Sequence, residues 1–431
     1  MIIRHHIRLL LLLLIVSLTA DAQSILGTGN WYKIAVEKNG VYKISSDLLK
    51  KMGIDPSKID PRKISIHGYG GGMLPQSNNS PRTIDLPEIA IFVSGEDDGT
   101  FNSQDYILFY AEGPDKVWYD TQRKIFGYEN NLYANKNFYF LTISEDDGKR
   151  VTTSGNQSGA FPSVNECDDY IFHEVDEYNE LHSGREWFGE QFGLTTDRTL
   201  SFAISGIVEN TEMKLVSDVM GQSYTSASFN VFFNNTMLVE QKVLPIPNAR
   251  YAIKGQHKRD TVTFNSTTVN VGGKTSHDVR YQFVKGTGFS QGFLDFLLVS
   301  FKRSLALYND QTIFTASSSL QNPVSQFNVA SVPANVSVWD ITNPSDAKIQ
   351  EIILSGSQAT FATSTDQLKN FIVFNDKVPS PEFVAKIENQ NLHQLSTPNL
   401  IIVTHPTFLT EAVRLAEHRQ SYSGWSVHVV T

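Results

Sequence analysis

Alternating apolar and polar residues recur along most of this chain, in short runs that predict β-strands. Between the first two runs, Asn39-Gly40 predicts a hairpin, because this pair suits a turn with positive φ. One short helix is predicted over Asp47 to Met52, capped by Ser45 or Ser46 and ended by Gly53. The predicted strands of this first part are Trp31 to Val36, Gly40 to Ile44, Lys63 to His67, Ala90 to Ser94, Tyr106 to Tyr110 and Phe138 to Ser144.

Predicted strands continue through the middle of the chain without intervening helices, which favours a β-sandwich of jelly-roll type. Gly292 to Val299 is expected to be a central strand. Residues 152–159 are rich in Ser, Gly and Asn, so we expect a domain boundary there, with a β-rich domain over 23–165 and the sandwich over 166–390. The predicted strands of the sandwich are Leu200 to Ile207, Glu212 to Val219, Ser226 to Phe233, Thr261 to Val271, Val279 to Phe283, Phe293 to Arg303, Val338 to Ile341 and Ile352 to Leu354.

The last residues, 398–431, follow a different pattern. Asn399 to Thr404 is a buried-strand pattern, and Pro406 opens a stretch with apolar residues at helical spacing. Gly424 suits a helix end, and Trp425 to Val430 begins a second apolar strand. Strand, helix and strand predict a parallel βαβ unit with a right-handed crossover. Because a parallel sheet needs more strands and cover on both faces, we expect 398–431 to be the truncated start of an α/β domain.

The first 22 residues have the pattern of a secretory signal peptide. Arg4 and Arg8 precede the apolar run Leu9 to Val16, and Ala20-Asp21-Ala22 fits the cleavage site, so the mature chain is expected to begin at Gln23. The alternative is a membrane anchor, but the apolar run is about half of the roughly 20 residues that span a bilayer.

Composition narrows the function classes. The 431 residues carry a net charge of −9, which argues against nucleic acid as the main partner, because binding phosphates needs clustered Lys and Arg. Cys167 is the one cysteine, so an exported form of the chain has no internal disulfide framework.

Few residues are candidates for chemistry. Carboxylates surround Cys167 in the sequence and would raise its thiol pKa, so we interpret it as a partly buried free cysteine. His173 with Glu174, and His182 with Glu186, do not match the His-Glu-x-x-His zinc spacing and are interpreted as surface or packing residues. His405 follows the first strand of the βαβ unit, where it is expected to cap the helix; substrate binding is the alternative.

Three unusual stretches of sequence are each open to two interpretations. Gly68 to Pro75 resembles a phosphate loop but has Met73 in place of the third glycine, so a tight turn between strands is expected. The acidic residues 96–105 suggest a β-turn, with a calcium loop as the alternative, although the EF-hand pattern is not met. Leu181 to Phe192 combines Arg, Trp and Phe, and is either an interface anchor or a loop pinned by Trp187 against the sandwich.

Several of these motifs together resemble the N-terminal half of the sortases of the type IX secretion system, a gingipain-like cysteine peptidase family. The motifs are Ile66 to Pro75, the hairpin from Asp98-Gly99 to Tyr110, Ser183 to Glu190 and Val338 to Pro344. Leu400 to Thr431 resembles the opening strand, helix and strand of the caspase-like peptidase domain of that family. The resemblance covers nearly all of the chain after residue 22.

The resemblance implies an enzyme at the outer membrane or cell surface of a Gram-negative bacterium. It would cleave the C-terminal sorting domain from secreted cargo and attach the cargo to anionic lipopolysaccharide, through a thioester on a Cys with a His as base. Implied partners are cargo sorting domains, an outer-membrane β-barrel protein of the secretion system and the lipopolysaccharide; no cofactor or metal is implied. The family's catalytic His and Cys lie beyond Thr431, so no residue of this chain is assigned a catalytic role, and the chain alone is expected to be inactive. A non-enzymatic surface adhesin or glycan-binding module is the alternative.

Overall fold

The computed structural model describes residues 24–431 and is mainly β, as the sequence predicts. The predicted signal peptide and the cut before Gln23 lie outside the described residues. The chain divides into two compact units: one spans Tyr32–Ala385, and the other consists of the described residues 24–31 together with 386–431. Within the described residues, no helix is both long enough and apolar enough to cross a membrane.

Between residues 24 and 431, thirty strands follow one another with two α-helices among them. The first fifteen strands are β1 (Trp31–Val36), β2 (Gly40–Ser45), β3 (Ile64–Gly68), β4 (Glu88–Ile89), β5 (Ile91–Ser94), β6 (Tyr106–Ala111), β7 (Lys116–Asp120), β8 (Ile125–Glu129), β9 (Asn137–Ile143), β10 (Thr152–Ser154), β11 (Ser163–Val164), β12 (Glu166–Glu174), β13 (Gln191–Phe192), β14 (Asp197–Phe202) and β15 (Glu212–Ser223).

The other strands are β16 (Ala227–Phe233), β17 (Thr236–Val243), β18 (Gln256–Asn265), β19 (His277–Val284), β20 (Ser290–Ser304), β21 (Gln311–Thr315), β22 (Val324–Val329), β23 (Ser337–Asp340), β24 (Lys348–Gln350), β25 (Ile353–Ser355), β26 (Gln358–Ser364), β27 (Asn370–Phe374), β28 (Glu382–Ile387), β29 (Leu400–Val403) and β30 (Val427–Val430). The helices are α1 (Ser46–Lys51) and α2 (Leu409–Ser423).

A ten-stranded sheet forms the middle of the large unit, in the order β10-β24-β23-β27-β21-β12-β20-β15-β18, with β13 paired to β20. Its longest strand, β20, contains the predicted central strand Gly292 to Val299. β20 pairs antiparallel with β12 on one side and with β15 on the other, so the prediction of a central strand is confirmed.

The predicted sandwich is present, and its main core lies between the ten-stranded sheet and the four-stranded sheet β14-β19-β16-β17. Inward side chains alternate with outward ones along β19, as expected for a strand with one buried face. Three buried polar side chains in this core are linked by hydrogen bonds. The Tyr281 hydroxyl donates to Ser217 Oγ at 2.8 Å, and Ser217 Oγ donates to Gln241 Oε1 at 2.7 Å.

Further cores lie in the same unit, and two of them are large. One is a cluster of stacked phenylalanines under the sheet β11-β22-β26-β25, with Phe327 and Phe361 parallel at 5.1 Å between ring centroids. The other joins the five-stranded sheet β28-β1-β9-β3-β4 to the three-stranded sheet β2-β6-β5 and to α1. The predicted cap of α1 is confirmed, because Ser45 Oγ accepts from the Leu48 N–H at 3.3 Å.

The predicted hairpin between β1 and β2 is wrong. β1 pairs with β9 in one sheet, whereas β2 pairs with β6 in another. The chain turns a corner between the sheets, where the Tyr42 hydroxyl donates to the Lys38 carbonyl at 2.8 Å and Asn39 Oδ1 accepts from the Gly113 N–H at 2.7 Å. Neither Asn39 nor Gly40 has a positive φ, so this corner is not the tight turn that the Asn-Gly pair predicts.

The unit formed by the chain ends contains the predicted βαβ motif. β29 and β30 pair in parallel, with Leu400 opposite Val427, and α2 connects them. Gly424 takes φ 65° at the end of α2, as predicted. β29 leaves Ile401 57% and Val403 78% exposed, although their sequence predicts a buried strand.

The predicted boundary between residues 165 and 166 stays a prediction. The region expected to link the domains contains β10, which pairs in parallel with β24, so residues 152–154 are part of the ten-stranded sheet.

Candidate functional site

A cavity of about 770 Å³ in the large unit has one wall of aromatic rings and several carboxylates around it. A smaller cavity of about 450 Å³ shares Tyr119, Phe126 and Asp168 with it and is bordered by Lys124, Lys214 and Lys302. The aromatic residues of the larger cavity are Tyr110, Trp118, Tyr119, Phe126, Tyr128, Tyr170 and Phe314.

The hairpin of β7 and β8 positions most of these rings. Trp118 lies opposite Gly127, where a Cβ atom would be 2.2 Å from the indole ring, so only glycine lets the indole lie across the partner strand. Tyr128 stacks on Phe172 of β12 at 3.8 Å between ring centroids, and the Phe126 N–H donates to Ser300 Oγ at 3.0 Å. The hairpin is thereby fixed against one face of the ten-stranded sheet.

Most carboxylates of the cavity already have partners. Asp115 accepts from the Tyr128 hydroxyl at 2.7 Å, Asp168 lies 2.6 Å from Lys302 Nζ, and Asp169 lies 2.8 Å from Arg303 Nη1. Glu112 is the exception, because its side chain makes no hydrogen bond within residues 24–431, and burial raises its pKa. Aromatic faces beside oxygen acceptors suit the apolar face of a sugar or a cationic group.

Cys167 lies in β12 next to this cavity and is a buried free thiol, as interpreted from the sequence. Burial raises the thiol pKa, and the neighbouring Asp169 and Asp168 add to the rise. Its Sγ contacts the Arg303 carbonyl at 3.5 Å. A buried thiol with a raised pKa supplies no thiolate at neutral pH, so this residue is a packing residue.

Two of the histidines singled out in the sequence have side-chain or backbone partners. His173 Nε2 lies 2.7 Å from Glu190 Oε1, a pairing that the sequence did not indicate because 17 residues separate the two. Burial works to raise the pKa of Glu190, but the hydrogen bond with His173, a backbone hydrogen bond and the nearby Arg198 together lower it. His405 Nδ1 accepts from the Thr407 N–H at 3.2 Å and caps the 3-10 turn Pro406–Phe408. α2 begins after this turn, at Leu409, without a side-chain cap, so His405 caps the turn and not the helix itself.

The stretch Leu181 to Phe192 is held in place by residues other than Trp187. Trp187 is 42% exposed, so the prediction that it pins the loop is wrong. Phe188 and Phe192 are fully buried instead, and Phe188 packs with Met220 and Phe293. The two buried rings recur at a spacing of four residues, and the exposed indole between them stays available to a partner.

Other residues of the chain contact the two loops that have alternative interpretations, Gly68 to Pro75 and residues 96–105. Gly71 lies against the chain at Gly113, where a Cβ atom would be 2.1 Å from the carbonyl oxygen, so a close backbone approach explains this glycine of the predicted turn. In the acidic loop, Glu96 pairs with Arg150 at 2.7 Å and Asp105 accepts from the Asn102 N–H at 2.6 Å.

No family model matches the chain, and no curated protein matches it. Among solved structures, dimeric latent PorU from Porphyromonas gingivalis is similar to it, with a TM-score of 0.79 and 22% identity over 95% of this chain and 38% of that chain.

Two other similarities are much weaker. A carbohydrate-binding module, CBM36, in complex with calcium and xylotriose has a TM-score of 0.19 and 6% identity over 31% of this chain and 98% of that chain. The VP2 subviral particle of infectious bursal disease virus has a TM-score of 0.19 and 7% identity over 94% of this chain and 93% of that chain. Such scores carry no argument about fold or function. The chain spans about two fifths of PorU, and over that length it is a PorU-like protein in its fold.

Proposed function

We propose that this chain is the N-terminal part of a type IX secretion sortase, a gingipain-like cysteine endopeptidase and transpeptidase at the cell surface. The observation that carries the proposal is the PorU-like fold over 95% of the chain. The parallel β29-α2-β30 unit supports it, because a lone parallel strand pair with exposed apolar residues is suited to become part of a larger α/β sheet.

The proposed chemistry belongs to a peptidase domain outside residues 1–431. There, a Cys thiolate would attack the carbonyl carbon at the cargo cleavage point, and the C-terminal sorting domain would leave as its amine, protonated by a His. An amine of the anionic lipopolysaccharide, or water, would then attack the thioester and release the thiolate. The implied partners are therefore cargo sorting domains, an outer-membrane partner of the secretion system and the lipopolysaccharide acceptor.

The β-rich part of the chain would serve this enzyme as a rigid platform. Cys167 supports this division between a β-rich platform and a separate peptidase domain, because its burial and raised pKa make it unsuited to nucleophilic attack. A non-enzymatic glycan-binding module is the second candidate, and the aromatic wall around Trp118 is the observation that favours it.

Deleting the gene in the bacterium that carries it separates the two candidates. For a sortase, we expect exported cargo to retain its C-terminal sorting domain, seen by mass spectrometry, and the complete gene to restore cleavage. Complementation with Cys167→Ser is expected to restore cleavage as well as the unchanged gene does. Normal cargo processing in the deletion strain would contradict the sortase and leave the glycan-binding module as the better interpretation.

A further inference from the structure

Three potential metal ligands meet on the face of the ten-stranded sheet that turns away from the main core. They are Asp218 on β15, His257 on β18 and Asp295 on β20, and one ligand atom from each lies within 4.8 Å of the others. Asp218 faces this side because its neighbours Ser217 and Val219 both face the main core. The three residues are 77 positions apart in sequence at the extremes and come together only through the pairing of three strands.

A β-bulge directs Asp295 towards this group. Asp218 pairs with Phe296 and Val219 pairs with Leu294, so Asp295 is the extra residue without a partner on β15. In a regular strand Asp295 and Phe296 would face opposite sides of the sheet. A bulge changes that alternation, and bulges are frequent beside functional sites because they redirect a side chain.

One ligand atom is buried without a hydrogen bond. The Asp218 side chain is 6% exposed, and its Oδ2 accepts from Arg259 Nε at 2.7 Å. Its Oδ1 is buried and accepts no hydrogen bond, and it lies 3.7 Å from His257 Nδ1. A buried carboxylate oxygen without a hydrogen bond is costly, and the cost is removed if a cation occupies the space in front of it.

His257 has the surroundings of a metal-ligating histidine. Its Nδ1 faces Asp218, while its Nε2 lies 4.0 Å from Glu186 Oε2. A histidine that binds a metal through one ring nitrogen usually donates the other N–H to a carboxylate, which orients the ring. Glu186 belongs to the stretch Ser183 to Phe192, and the Phe188 ring of the same stretch lies 5.6 Å from the His257 ring.

Negative charge in this group exceeds positive charge. The Asp295 side chain makes no hydrogen bond or ion pair with any residue between 24 and 431, although it lies beside the Asp218 carboxylate. Arg259 is bound to Asp218 Oδ2 and lies over the Phe296 ring, so its guanidinium offsets only one of these carboxylates.

We propose that Asp218 Oδ1, Asp295 and His257 Nδ1 bind one divalent metal cation of the Zn²⁺ class, with Glu186 as the hydrogen-bond partner of His257. Ligand atoms within 4.8 Å of one another surround a single ion when the metal–ligand bonds are about 2.0–2.4 Å. Imidazole in the ligand set favours Zn²⁺ over Ca²⁺. The bound cation would fasten the stretch Ser183 to Phe192 to the sheet.

Titration calorimetry of the purified, tag-free chain with ZnCl₂ tests this site. We expect one Zn²⁺ per chain, bound more tightly than Ca²⁺. Asp295→Asn and His257→Gln are each expected to weaken Zn²⁺ binding at least about tenfold, and Glu186→Gln about tenfold. Zn²⁺ is also expected to slow tryptic cleavage after the exposed Arg185 in the wild-type chain but not in Asp295→Asn.

The matched controls are Asp97→Asn and His182→Gln, which change the same groups at exposed positions outside the cluster. Both are expected to bind Zn²⁺ as the wild type does. Without metal, Asp295→Asn is expected to melt no lower than the wild type, because it removes like-charge repulsion. Equal Zn²⁺ affinity in the wild type and Asp295→Asn, tighter binding of Ca²⁺ than of Zn²⁺, or the lack of saturable binding would each overturn the proposal.

Discussion

Arg303→Met is expected to lower the free energy of unfolding of the chain by about 3–5 kcal/mol, because it leaves a largely buried carboxylate without its cation. Arg303 Nη1 lies 2.8 Å from Asp169 Oδ2, and the two side chains are 14% and 23% exposed. The guanidinium also donates to the Ser205 carbonyl at 2.8 Å and lies 3.4 Å over the Tyr308 ring. Methionine keeps the length of the side chain and loses all three contacts. Urea unfolding at pH 7, followed by tryptophan fluorescence, measures the change.

The loss caused by Arg303→Met is expected to depend on pH. Burial raises the pKa of Asp169 even with Arg303 present, and removing Arg303 raises that pKa further. An acid with a raised pKa in the folded state binds its proton more tightly there than in the unfolded chain. Stability therefore falls as pH rises from the ordinary Asp pKa through the folded one. We expect the difference between variant and wild type to shrink towards pH 4.

Arg123→Met is the matched control for Arg303→Met. Arg123 is 83% exposed and lies 3.8 Å from Asp120, so its loss is expected to change the free energy of unfolding by less than about 1 kcal/mol. Similar effects of the two substitutions, or a loss for Arg303→Met that does not change with pH, would show that the Asp169 pair is not what stabilises β12 against β20.

Phe192→Ala is expected to cost about 3–5 kcal/mol of the free energy of unfolding. Phe192 is fully buried in the main core, and its ring meets that of Phe229 edge to face at 5.3 Å between centroids. Its short strand, β13, pairs with β20, so the ring joins the stretch Ser183 to Phe192 to the sandwich. Alanine would leave a cavity between two sheets. Thermal and urea unfolding measure the loss.

Trp187→Ala, five residues earlier, is expected to change stability by no more than about 0.5 kcal/mol, because the indole is 42% exposed. Together, Phe192→Ala and Trp187→Ala distinguish a side chain that packs in the core from one that is available to a partner. A large loss of stability for Trp187→Ala with a small one for Phe192→Ala would mean that the loop is held by its tryptophan after all.

Local patterns predicted the elements that depend on neighbouring residues. The strand alternation placed β1, β15, β16 and β20 to within a few residues, and Ser45 and Gly424 marked helix ends correctly. The hairpin prediction failed because Asn39-Gly40 is a local pattern, whereas β1 pairs with β9, whose residues lie 101 to 109 positions further along the chain.

The candidate sites depend still more on distant contacts. Alternation over Val117 to Tyr119 and Phe126 to Tyr128 could have indicated the β7-β8 hairpin, but nothing local indicates that it packs against Phe172. The position of Asp295 could not be predicted either. Its side chain reaches Asp218 because of a bulge that arises from the register between β15 and β20.

Labelling the active thiol is the most direct test of whether the catalytic cysteine lies outside residues 1–431. The complete protein would be treated in its folded state with a peptide that carries a thiol-reactive electrophile, and the modified residue would be identified by peptide mapping. We expect the label on a cysteine outside residues 1–431, with Cys167 unmodified until the protein is unfolded, because its thiol is 3% exposed and its pKa is raised by burial. Rapid labelling of Cys167 in the folded protein would contradict the claim.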